Sequence, residues 1–163
     1  MVDSTVAYAV GDANFGATPE ISAVAYNNNF GGATSTVLRD IDSSLDILAI
    51  QSPPNDGTLN TQFSLGVDIR NGFDGYDISG LTGTSYATFI LEGDTFSGFY
   101  TLGPAGATLV GDVTTATGER LQLLDIAAAV GAPVPIPAAV WLFMCGIAGL
   151  GLGAKRKTVA RIH

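Results

Sequence analysis

From residue 21 onward the chain runs in short apolar stretches that alternate with polar positions and stop at glycine, proline, asparagine or aspartate. A period of two is the mark of a half-buried strand. It predicts strands over residues 21–26, 34–41, 45–50, 61–69, 76–78, 85–91, 97–102 and 107–113. The breaks between them are dense in turn residues, such as Asn27-Asn28-Asn29-Phe30-Gly31-Gly32 and Ser52-Pro53-Pro54-Asn55-Asp56-Gly57. Glycine supplies left-handed backbone in such places, while proline and Asx residues favour the turn itself. One helical candidate covers residues 119–130, although its Leu-Gln-Leu-Leu-Asp-Ile core suits a further strand equally well.

Strands this short, spaced every eight to twelve residues or so, indicate an all-β sandwich, barrel or propeller. A loose repeat separates these. Residues 21–66 and 72–113 both run strand, glycine-rich loop, then further strands. In the comparison, Tyr-Asn-Asn-Asn-Phe-Gly-Gly from Tyr26 answers Ile-Ser-Gly-Leu-Thr-Gly-Thr from Ile78, and Leu38-Arg39-Asp40 answers Leu91-Glu92-Gly93-Asp94. A period of roughly 40–50 residues with four strands predicts propeller-like, four-stranded antiparallel blades.

The pattern changes after residue 131. Residues 132–137 form a linker with Pro133, Pro135 and Pro137, and residues 138–154 are seventeen consecutive positions without a charge. As a helix that run extends about 26 Å, slightly short of a hydrocarbon core of about 30 Å. Pro137 suits the first helical position, where its missing N–H costs nothing. Trp141 falls where an interfacial aromatic is expected. A buried soluble helix is the competing reading. Gly146, Gly149, Gly151 and Gly153 would each weaken such a helix by about 1 kcal/mol, whereas membrane helices use glycine freely. The sequence thus predicts one C-terminal transmembrane helix over 138–154. Gly149-x-x-x-Gly153, with Cys145 before it, is expected to reflect composition more than helix pairing.

Charge sharpens that division. All fifteen acidic residues precede Pro133, against three arginines, so residues 1–132 carry −12. The remainder carries +4, from Lys155, Arg156, Lys157 and Arg161. Lys155, Arg156 and Lys157 close the apolar run as a stop-transfer cluster. The positive-inside rule keeps residues 155–163 cytoplasmic and turns the acidic domain, residues 1–131, outward. A field of that sign repels nucleic acid, so no nucleic-acid partner is expected. Met1-Val2-Asp3-Ser4 has neither the basic start nor the apolar core of a secretory signal. An exported chain with this tail is therefore expected to be a fragment of a longer protein.

Val134, Pro135, Ile136 and Pro137, followed by Ala-Ala-Val-Trp-Leu-Phe, a glycine-rich apolar run and a basic end, resemble the PEP-CTERM sorting signal. The closer likeness is to its variant with Val-Pro-x-Pro in place of Pro-Glu-Pro. Ile136 stands where the family name has glutamate, and six residues follow the basic cluster. The resemblance implies the membrane and an exosortase-type processing enzyme as partners. It also implies a place in the cell envelope or outside a Gram-negative, exopolysaccharide-making bacterium.

A second resemblance covers residue 6 to about residue 128. It is carried by Ala7-Tyr8-Ala9-Val10-Gly11-Asp12-Ala13-Asn14, Ala25-Tyr26-Asn27-Asn28, Ile41-Asp42-Ser43-Ser44-Leu45-Asp46, and Pro53-Pro54-Asn55-Asp56-Gly57-Thr58-Leu59-Asn60. These look like a bacterial family, domain of unknown function 4394, whose members have propeller-like repeats and are often secreted. Its members begin well upstream, which implies an incomplete β-propeller-like array here. Two blades and part of a third leave edges uncovered, so poor stability of residues 1–132 in isolation is expected.

Candidate chemistry is sparse. The only histidine is the terminal His163 and the only cysteine is Cys145, so the acidic domain has no His, Cys or Lys nucleophile or base. Aspartates remain, and paired carboxylates hydrolyse glycosides in some enzymes. Most of them, however, stand beside turn residues, where aspartate bonds its own backbone. Calcium is the better candidate ligand: Asp12, Asp40, Asp42, Asp74 and Asp77 place hard oxygen donors close in sequence, without the spacing of an EF-hand loop. The reading that results is a non-enzymatic exported surface protein with a structural or adhesive role, polysaccharide being a candidate partner. A permanently anchored binding or sensor module is the alternative, and a carboxylate-dependent glycoside-acting enzyme comes third.

Overall fold

The computed structural model describes residues 4–129. These form nine strands: β1 (Ala7–Tyr8), β2 (Ile21–Tyr26), β3 (Leu38–Asp42), β4 (Ile47–Gln51), β5 (Thr58–Ser64), β6 (Ile69–Ile78), β7 (Ser85–Leu91), β8 (Gly98–Gly103) and β9 (Gly106–Asp112). The described residues contain no α-helix; their one helical element is a 3-10 turn at Pro54–Asp56. The predicted transmembrane helix, the sorting motif Val134–Pro137 and the basic residues Lys155, Arg156 and Lys157 lie outside the described residues.

Two sheets result. The first has the order β1-β5-β4-β3-β2, an antiparallel meander of β2 to β5 with β1 added parallel to β5. The second is an antiparallel meander, β6-β7-β8-β9. The sheets meet through two edge strands, β2 of the first and β6 of the second. There the Ser22 hydroxyl donates to Asp74 at 2.6 Å, and the Asn29 amide donates to the Ile78 carbonyl at 3.1 Å.

Strand alternation decides which side chains fill the space between. Ile41, Leu48 and Ala25 of the first sheet join Ile69, Tyr76, Ile78, Ala87 and Phe89 of the second in one core. The opposite face of the first sheet carries a smaller core of Tyr8, Ile47, Ala49 and Leu59.

The expected strands over 21–26 and 85–91 are β2 and β7 to the residue. The expectation over 61–69 joined two strands. Asp46 separates them: its carbonyl accepts from Leu65 N at 2.7 Å and its carboxylate from Ile69 N at 2.8 Å, turning the chain between sheets. Residues 34–37 are not strand, because Asn27 Oδ1 takes the Val37 N–H at 2.6 Å and the first pairing falls at Leu38.

The helical expectation over 119–130 does not hold for its described part. Its backbone is drawn into long-range bonds instead. Ser97 N donates to Leu121 O at 2.9 Å, Leu123 N donates to Ser97 Oγ at 2.8 Å, and Ala128 N donates to Asp77 Oδ2 at 2.6 Å.

Candidate functional site

Between the two sheets, at one end of their shared core, lies a cleft of about 480 Å³. Arg39 reaches it because β3 alternates: Ile41, two residues on, enters the core on the same face. Leu48 and Phe63, paired across β4 and β5, continue that wall. Thr84, Ser85 and Leu102 of the second sheet face them. Ser85 is buried; its hydroxyl accepts from Arg39 Nη1 at 3.5 Å and lies 3.2 Å from the Tyr76 hydroxyl. Burial raises the Tyr76 phenol above its ordinary range, with the Ser85 hydrogen bond and the Arg39 charge pulling the other way. The Arg39 Nε–H is itself buried and has no hydrogen-bond partner.

This cleft offers hydrogen bonds and one positive charge to a bound group. It was not legible as a site in the sequence. Arg39 looked like one charge among three, inside a strand whose faces alternation alone leaves unassigned. The signal that was present is an arginine flanked by Leu38, Ile41 and Val37 in a chain so rich in acid.

The five aspartates singled out from sequence are dispersed. Asp12 accepts Thr61 N at 2.7 Å, Thr61 Oγ1 at 2.7 Å and Asn14 N at 2.9 Å. Burial pushes its carboxyl up, and these three bonds overcome that, holding it below the usual value. Asp42 is fully buried and accepts the Tyr8 hydroxyl at 2.5 Å, with Ser44 N and Oγ and Leu45 N on its other oxygen. Burial, followed by that bond to Asp42, drives the Tyr8 phenol far above its ordinary range.

Asp40 is fully buried with neither oxygen bonded, and burial pushes its carboxyl up to about 6. Asp74 bonds Ser22 between the sheets, whereas Asp77 binds the 121–129 segment on the far face of β6. Among the described residues no three His, Cys, Asp or Glu side chains converge as metal ligands. Asp12 accepts three hydrogen bonds within the chain and Asp42 four, whereas Asp77 accepts one on each oxygen.

A second cavity, of about 380 Å³, separates the stacked Tyr86 and Phe99 rings (5.6 Å between centroids) from Ile126 to Ala129. The segment above it crosses the second sheet so closely that a Cβ on Gly75 would stand 2.7 Å from Asp125 Cα.

Fold and cleft together define a small all-β domain of two packed meanders. The model of the family described as a domain of unknown function (DUF4394) matches residues 1–127, and the chain belongs to that family. Searches of the curated proteins and of the solved structures return no match.

Proposed function

We propose that this is a non-enzymatic, exported surface protein whose domain makes adhesive or structural contact with polysaccharide through the cleft between its sheets. The two meanders are read as consecutive blades of a propeller-like fold. Their like strand order and their contact through the first strand of each, β2 on β6, support that reading. The tail supplies export and sorting: Val134, Pro135, Ile136 and Pro137 for an exosortase-type enzyme, and Lys155, Arg156 and Lys157 as the stop-transfer cluster in the inner membrane.

The cleft carries the functional half of the proposal. A pocket of about 480 Å³ falls within the 300–1,000 Å³ or so of small-ligand sites. Its mixed lining, apolar Leu48, Phe63 and Leu102 with polar Arg39, Thr84 and Ser85, suits a ring that is apolar on its faces and polar at its edges. Filling it tests the idea. Thr84→Trp at the mouth is expected to cut retention of the full-length protein on its own cell's envelope polysaccharide by about tenfold or more, with the melting temperature little changed. Undiminished retention of Thr84→Trp would remove the cleft from the contact.

A further inference from the structure

We propose that the cleft is a receptor for a single carboxylate group, bound by the Arg39 guanidinium. The inference rests on the cleft being the contact site and adds the chemical class of what it holds.

The three arginines of the domain are treated differently. Arg120 lies 3.1 Å from Asp112 and 3.8 Å from Asp94, with its guanidinium 5.2 Å from the Phe96 ring centre. Arg70 stacks 4.2 Å over Phe73. Arg39 meets only neutral hydroxyls, that of Ser85 at 3.5 Å and that of Tyr76, and no carboxylate of the described residues pairs with it. Residues 1–132 hold fifteen acids. Among the described residues none is set against Arg39, which lines the cleft.

The guanidinium presents parallel N–H groups in a plane, which matches a carboxylate's two oxygens. One positive charge within a domain of net −12 favours a monoanion over a phosphomonoester, whose second charge would meet the surrounding field unpaired. Next to Arg39, the Ser85 and Thr84 hydroxyls and the Phe63 ring provide for a polar-edged ring bearing the acid, of which a hexuronate is the simplest.

Sodium glucuronate added to full-length, ¹⁵N-labelled protein in detergent solution is the probe, and the Arg39 Nε–H resonance is the readout. That resonance is identified by its loss in Arg39→Lys, or by through-bond assignment if this variant does not fold. A saturating shift at millimolar ligand is expected, with the Arg70 and Arg120 resonances moving little. The uncharged analogue glucuronamide is expected to bind at least about tenfold more weakly. Equal binding of glucuronamide would overturn the carboxylate while leaving the cleft as a contact site. An equal response to methyl sulfate would overturn the planar match. No Arg39 shift with either sugar would overturn both the carboxylate and the cleft.

Discussion

Asp40 shows how much a single side chain is determined by the face it occupies. In β3 it stands opposite Ala49 of β4 and Val24 of β2, on the face away from the second sheet, fully buried and unbonded. Burial alone lifts its carboxyl from 3.8 to about 6, so the folded protein holds this proton more tightly than the unfolded chain does. Stability from this group is therefore complete below pH 3.8 and is lost as pH rises through about 6. Burial pushes Asp46 and Asp74 in the same direction, while Asp12, held low, works against the trend at acid pH.

Thermal melts are expected to show stability falling between about pH 4 and pH 6, by up to about 1.4 kcal/mol per unit from Asp40. Asp40→Asn should flatten that slope and stabilise the protein at pH 7 by about 1–2 kcal/mol. A slope unchanged in the variant would mean that Asp40 is charged at no cost. The sequence showed Asp40 and Asp42 as neighbours with shared chemistry. Packing gave them opposite fates, because only Asp42 meets donors.

Elements were most legible where local signals and tertiary pairing agree. Residues 21–26 and 85–91 have clean turns at both ends, and β2 and β7 keep those limits. Agreement failed where a distant side chain intervenes, as Asp46 does between β5 and β6. The comparison of Leu38-Arg39-Asp40 with Leu91-Glu92-Gly93-Asp94 was likewise out of phase, since the first opens β3 and the second closes β7.

The 121–129 segment is the largest such case. Its apolar spacing allows a helix, but fully buried Ser97 bonds both the N–H and the carbonyl of Leu123, at 2.8 Å and 3.2 Å, and holds it extended. Gly75 leaves room for it to cross. Ser97→Ala should cost about 1–3 kcal/mol by stripping those bonds from buried partners. Gly75→Ala, with its Cβ 2.7 Å from Asp125 Cα, should release amide protection at Leu123 and Ala128 in hydrogen exchange. Unaltered protection at both positions would show that the segment does not depend on this crossing.

At the scale of the molecule, the division into two β units was legible in the sequence, although the first sheet has five strands with β1 parallel to β5. Units expected over 21–66 and 72–113 correspond to meanders β2–β5 and β6–β9. The cleft was not visible, because it is made by residues 39, 48, 63 and 85 arriving from two sheets, and no local pattern records that meeting. The charge division was visible without any structure: a domain at −12 before a +4 tail. A polysaccharide contact requires the domain to be outside the cell, so export is the premise on which the proposed function depends. The direct measurement is the intact mass of the protein recovered from its native cell envelope and medium. A species lacking everything after about Pro137, found outside the inner membrane, is the predicted result and would establish processing at the sorting motif. A full-length species confined to the membrane fraction would contradict sorting and leave a permanently anchored module, and a full-length species in the cytoplasm would contradict export altogether.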